Sequence, residues 1–68
     1  MSDERAKLKI LLGHWIEHNR EHSQEFSQWA DKAKALGENE VSRDIAQAAQ
    51  AMDSAGRLLS QALKRLGE

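Results

Sequence analysis

The sequence predicts an all-α fold, an antiparallel hairpin of two long helices that forms a single domain over residues 1–68. The 68-residue chain contains no proline, so nothing in it breaks a helix outright. Alanine, leucine, glutamine, glutamate and lysine are abundant, and these residues have high helix propensity. Gly37, near the middle, is the strongest stop signal.

Helix 1 is expected over about residues 3–36. Ser2 or Asp3 can cap its first turn, and Gly37 suits the left-handed conformation that commonly ends a helix. At 100° per residue, its large apolar side chains cluster on one side. This predicted face consists of Leu8, Leu11, Leu12, Trp15, Phe26, Trp29, Ala30, Ala33 and Leu36.

A short turn over residues 37–39 leads to helix 2, which is expected over about residues 40–66 with Asn39 as its N-cap. A turn this short makes the two helices antiparallel. We expect small residues such as Ala48 and Ala55 to admit the bulky face of helix 1. The apolar seam of helix 2 follows heptad spacing through Val41, Ile45, Ala48, Met52, Ala55, Leu59, Ala62 and Leu66.

Two helices alone cannot shield their large apolar residues from water, because a hairpin has no third layer. We therefore expect a homodimer, most simply a four-helix bundle. Trp15, Phe26, Trp29 and Met52 are the expected core and interface anchors. Asn19, a polar residue within the apolar face, is expected to set register or oligomeric state.

Composition disfavours several functional classes. The chain has no cysteine, which excludes disulfides and thiolate metal sites. Its formal charge is −1 with acidic and basic residues interleaved, so no nucleic-acid partner is expected. No stretch reads as a signal peptide or a membrane span, and we expect a cytoplasmic protein with no membrane partner.

All three histidines belong to one tandem of His-x-x-Glu. Residues four apart on a helix share a face, so the tandem predicts a row of imidazoles beside a row of carboxylates. These are the ligands that divalent transition metals prefer when no thiolate is available. The pairs are His14 and Glu17, His18 and Glu21, and His22 and Glu25.

The carboxylates of this tandem repel one another. Glu17, Glu21 and Glu25 are spaced four apart, which costs a few tenths of a kcal/mol per pair, and only Arg20 can compensate within the helix. Positive charge is therefore expected near the row. It could come from a metal ion, from protonated histidines or from basic side chains of a partner.

Helix geometry limits how many histidines one ion can take. His14 and His22 are separated by about 12 Å along the axis, so one chain can offer a single ion at most a histidine pair. We expect His18 and His22 to form that pair, with His14 a further, outer ligand candidate. Glu21 or Glu25 would be a third ligand or would orient an imidazole.

Glu17 is expected to act only by orienting an imidazole through a hydrogen bond. Helix 2 has no histidine. A second chain or water must therefore supply the remaining ligands, and dimerisation would complete the site.

The run from Leu11 to His22, LLGHWIEHNREH, followed by Glu25-Phe26 and Trp29-Ala30, resembles a short prokaryotic helical-hairpin module with the motif LLxHWIEHNxEH. That module is of unassigned activity and is associated with metal-handling proteins. The resemblance covers most of helix 1 and, through residues 45–55, part of helix 2. It implies a role in metal handling.

A weaker likeness is to the encapsulated ferritins, two-helix chains that build a di-iron site across a dimer. It rests on the string from His18 to His22, HNREH. That family uses Glu-x-x-His, whereas this chain has the reverse order and lacks the second carboxylate helix. Ferroxidase activity is therefore not among our expectations.

Two functional hypotheses follow. The first is a module that binds a divalent transition metal, such as zinc, nickel, cobalt or iron, for storage, delivery or sensing. The second is a metal-free assembly domain whose histidines are incidental or respond to pH. An enzyme ranks third, because no nucleophile stands beside a base and no cofactor motif occurs, although hydrolysis at an open metal site stays possible.

Overall fold

The computed structural model describes residues 2–67, which form two α-helices, α1 (Ser2–Ala35) and α2 (Asn39–Gly67). The helices pack against each other along their length, and the predicted all-α hairpin is confirmed. Arg5 donates a hydrogen bond to the carbonyl of Leu66, so the two ends meet and the helices run antiparallel. Within the described part of the chain, neither helix has the length and apolar character needed to cross a membrane.

Gly37 ends α1 as expected, with a φ of 86° in the left-handed region. The amide of Glu38 donates to the carbonyl of Ala33 at 2.9 Å, and the amide of Gly37 donates to that of Lys34 at 3.0 Å. This pair of bonds is the Schellman arrangement, which satisfies carbonyls left free at a helix end. A side chain with a Cβ would be strained at this φ, which explains the glycine.

The capping role predicted for Asn39 is wrong. The first helical bond of α2 runs from the amide of Ser42 to the carbonyl of Glu38, at 2.9 Å, so Glu38 occupies the N-cap position. Asn39 is already the first helical residue. The turn therefore spans residues 36–38, the same length as expected but one residue earlier. At the other end of α1, Asp3 lies inside the first turn rather than capping it.

Both helices contribute a heptad seam to the contact between them. Apart from Gly13, the buried and half-buried residues follow alternating steps of three and four, the spacing that keeps a seam facing its partner. On α1 they are Leu12, Ile16, Asn19, Ser23, Phe26, Ala30 and Ala33. On α2 they are Ser42, Ile45, Ala49, Met52, Gly56, Leu59, Leu63 and Leu66.

Half of the seam predicted for α2 is wrong. Ile45, Met52, Leu59 and Leu66 lie in the seam as expected. Each of the other predicted positions is exposed, and the following residue takes its place. The exposed positions are Val41, Ala48, Ala55 and Ala62, and their replacements are Ser42, Ala49, Gly56 and Leu63.

The seam is narrow because small residues let the helices approach closely. A Cβ added to Gly56 would lie 3.0 Å from Nδ2 of Asn19, so this glycine makes room for the asparagine. The other interior glycine, Gly13, has open space around its Cβ position, contrary to the close approach that an interior glycine suggests.

Hydrogen bonds between polar groups link the two helices inside the seam. Nδ2 of Asn19 donates to the carbonyl of Met52. The hydroxyl of the buried Ser23 donates to Asp53 Oδ1 at 2.5 Å. The hydroxyl of Ser42 donates to the carbonyl of Ala30 at 2.7 Å. The Asn19 bond agrees with the expected role of this residue in setting register.

The large residues predicted to form the inward face of helix 1 are mostly exposed. Trp15 and Trp29 keep 45% and 53% of their accessible surface. A shallow cleft lined by Phe26, Trp29, Ile45 and Ala48 shows that the exposed flanks of both helices lie on the same side of the hairpin. We call this side the apolar face; it comprises Leu8, Leu11, Trp15, Trp29, Leu36, Val41, Ala48, Ala55 and Ala62.

The seam predicts where added volume destabilises the hairpin. Ala49 is 4% exposed, so Ala49→Leu should lower the free energy of unfolding by ~1–3 kcal/mol through overpacking. Ala51→Leu places the same side chain at an exposed position of the same helix and should change it by less than ~0.5 kcal/mol. Urea unfolding followed by circular dichroism measures both, and equal stability of the two variants would contradict the seam.

Candidate metal site on helix α1

The three histidines lie exposed on α1, along the flank that borders the apolar face. His22 follows Trp15 by seven residues and precedes Trp29 by seven, so the three side chains occupy equivalent positions on the helix. The spacing of 100° per residue places His22 within the predicted face of helix 1, but, like the two tryptophans, it lies on the exposed flank instead. The side of α1 that packs against α2 includes Asn19 and Ser23 at this level of the helix.

His18, His22 and Phe26 form a row of rings four residues apart. The ring centroids of His18 and His22 are 6.5 Å apart with an interplanar angle of 31°, and those of His22 and Phe26 are 6.1 Å apart. The Phe26 side chain is half-buried in the seam. One end of the imidazole row therefore rests on the packed part of the hairpin.

The same histidine pair lines a shallow depression on the surface of α1. Glu21 and Glu25 lie in its wall, so the structure brings together four of the five predicted ligands. His14 and Glu17 do not line it. The complete lining is His18, Glu21, His22, Gln24, Glu25 and Gln28.

Glu25 lies beside the ring of His22, with Oε1 3.3 Å from Nδ1. An N–H at Nδ1 would donate to this carboxylate and leave Nε2 with its lone pair free toward solvent. Carboxylates orient metal-ligating histidines in this way. The geometry therefore favours Glu25 as the residue that positions His22, one of the two roles expected for it.

The other carboxylates of the row differ in their partners. Oε1 of Glu17 accepts a bond from Arg20 at 2.5 Å, and both side chains are more than half exposed. Arg20 thus neutralises Glu17, as the spacing suggested, and an exposed pair of this kind contributes little to stability. Within residues 2–67, Glu21 forms no ion pair. Among the three carboxylates of the row, it is the one without such a partner in the described part of the chain.

One chain offers an incomplete set of ligands. In residues 2–67, no group of three or more histidine, cysteine, aspartate or glutamate side chains is arranged to hold an ion. A tetrahedral ion with nitrogen ligands at ~2.1 Å would bring two ring centres to roughly 5 Å, closer than those of His18 and His22. Both side chains are exposed and can close this gap by rotation.

Sequence reasoning missed Gln24 and Gln28, whose amides line the depression. Their positions carried a signal, because each lies within one helical turn of Glu21 or Glu25. It also missed the contact of Phe26 with His22. The spacing of four from His22 to Phe26 is the same one that defines the histidine row.

Comparisons with known proteins identify relatives without a stated activity. A family model described as "Domain of unknown function (DUF8180)" matches residues 8–66. A protein of Archaeoglobus fulgidus described as "Uncharacterized protein" is 31% identical over 61 residues, covering 90% of this chain and 97% of its own length. No solved structure matches the chain.

Proposed function

We propose a function for this chain, which belongs to the DUF8180 family: it binds a divalent transition metal ion on α1, for storage, delivery or sensing. The observation that carries the proposal is the shared depression of His18, His22, Glu21 and Glu25. Imidazole and carboxylate groups within reach of one another are the donor set of zinc, nickel, cobalt and iron sites in proteins that use no thiolate.

The ligand roles follow from the contacts of each side chain. His22 would bind through Nε2, because Glu25 occupies the side of Nδ1. His18, one turn earlier, would be the second nitrogen ligand. Glu21 would be the third, since it lacks an ion pair within residues 2–67 and its charge would be neutralised by the ion.

The proposed site needs further ligands, and self-association would supply them. A compact monomer of 7.7 kDa exposes roughly 4,300 Å², whereas this chain exposes 5480 Å². The excess accompanies the exposed tryptophans of the apolar face. We propose that two hairpins cover this face on each other, as a homodimeric four-helix bundle beside the histidine row.

A purely structural role is the second candidate, and the apolar face favours it. Exposed tryptophans and leucines at helical spacing are typical of an assembly surface whether or not a metal binds nearby. In that case His18 and His22 are surface residues and the hairpin is a dimerisation domain. Metal-dependent stability separates the two candidates.

The metal proposal predicts that zinc or nickel raises the melting temperature of the protein, since an ion that binds only the folded state stabilises it by mass action. His18→Ala and His22→Ala should each remove most of this increase. His14→Ala is the matched control, because it removes an imidazole from the same helix outside the depression. Thermal melts by circular dichroism with metal or chelator measure the effect.

The same melts should show a smaller metal effect at pH 5 than at pH 7.5, because protons compete with the ion for imidazole nitrogen. If chelator and metal leave the parent melting curve unchanged at both pH values, the metal proposal is wrong. The assembly role would then be the better account.

The dimer proposal predicts that the chain sediments as a dimer at ~10 µM, within the range of ordinary protein association. Trp29→Glu should shift it to monomer, because it places a charge in the apolar face. Ile10→Glu is the control: Ile10 is 62% exposed but lies on another flank of α1, and this change should leave association intact. A helical monomer for the parent protein at ~100 µM would contradict the proposal.

A further inference from the structure

Along the apolar face and its border, α1 and the residue that follows it carry a row of side chains whose order is the same in both directions. Leu8, Trp15, His22, Trp29 and Leu36 are spaced seven residues apart, with His22 at the centre. All of these side chains are exposed. Since the seam has the same seven-residue period, they form one continuous row that winds slowly around α1 and stays beside the seam.

A row with this order is complementary to itself only when two copies run antiparallel. Leu8 then meets Leu36, Trp15 meets Trp29, and His22 meets His22. Closed homodimers use the same patch on both subunits, and the patch must be self-complementary under a twofold rotation. We infer that the occupant of the apolar face is a second copy of this chain, docked with α1 antiparallel to α1 and the twofold axis passing beside His22.

The dimensions of the hairpin fit this occupant. It extends over 53 Å by 14 Å by 11 Å, so it is a long single layer of two helices. Covering one side would bury on the order of 700 Å² per copy, close to the ~800 Å² per partner of a standard stable interface. The opposite side of the hairpin is less suited to such an interface, because it is lined by charged residues such as Arg20, Asp53, Arg57 and Lys64.

The part of this arrangement that concerns the metal rests on the proposed function. It identifies a side chain of the second copy that could be an additional ligand. With the axis beside His22, the level of His18 on one copy coincides with that of Glu25 on the second copy, within one residue. Each His18 and His22 pair would therefore gain a carboxylate from across the interface. Two equivalent sites per dimer follow, one ion for each chain.

Single-cysteine variants test the arrangement, because the natural chain has no cysteine to interfere. Under oxidised glutathione with chelator present, His22→Cys should form a disulfide-linked homodimer, since two copies of a residue at the axis lie within disulfide reach. Arg20→Cys, two residues away on the opposite, charged side of the hairpin, should stay uncross-linked. Non-reducing electrophoresis reports both results, and circular dichroism confirms that each variant is helical.

A second pair of variants tests the direction of the helices. Leu8 and Leu36 each lie about 21 Å from the proposed axis along α1, so neither Leu8→Cys nor Leu36→Cys should cross-link with itself. A mixture of the two should give the mixed disulfide dimer. If His22→Cys fails to cross-link, or Leu8→Cys cross-links with itself as readily, the antiparallel docking is wrong.

These experiments are independent of metal. Cross-linking as expected, together with melting curves that do not respond to metal, would leave the docking intact and overturn only the metal proposal. Metal-dependent stability without the expected cross-links would support the metal proposal and overturn the antiparallel docking. For the cross-interface ligand, Glu25→Gln should lower the number of ions bound per chain, measured by native mass spectrometry. Mixing Glu25→Gln with His18→Ala should restore one ion per mixed dimer, because Glu25 of the second chain then reaches the intact histidine pair of the first; loss of His22 positioning within one chain would give no such recovery.

Discussion

The close approach of α1 and α2 is the constraint on which the rest of the structure depends. Small residues line the seam on both sides, with Ala30 and Ala33 on α1 and Ala49 and Gly56 on α2. These buried positions have no room for an indole ring, because packed interfaces tolerate little added volume. The tryptophans are therefore displaced to the flank, and the hairpin keeps an exposed apolar face that a single chain cannot cover.

Hydrogen bonds contribute to selecting the register of this seam. Around Ser23, Ala30 and Ala49 its buried positions are small, so the buried apolar area there differs little between one register and the next. The groups that pair only in the observed register are the amide of Asn19 with the Met52 carbonyl and the hydroxyl of Ser23 with Asp53. Leaving one such group buried and unpaired costs ~1–3 kcal/mol, enough to disfavour a slipped arrangement.

The sequence predicted the helices and the turn well, because the absence of proline and the presence of Gly37 affect the local backbone directly. It predicted the inward face poorly, and α2 shows why. Ala48 and Ala49 are both small and apolar, so the 3.5-residue period alone cannot decide which of them faces α1. The serines and Gly56 determine which side of α2 faces α1, through their contacts with the other helix. The pattern of residues within one helix carries no information on those contacts. Grouping His18 with His22 required only spacing, and the depression that they share agrees with it.

The exposed position of the histidine pair has a consequence for how the proposed site would operate. A pair of mobile imidazoles on one helix binds an ion weakly, because the side chains lose rotamer freedom and water completes the coordination. If a second copy supplies a further protein ligand, the ion strengthens the dimer by the same factor as the dimer strengthens binding of the ion. Metal concentration would then set the fraction of dimer, and dilution of the chain would release the ion. Coupling of this kind suits sensing or delivery better than storage, which requires that the ion be retained when the protein is dilute.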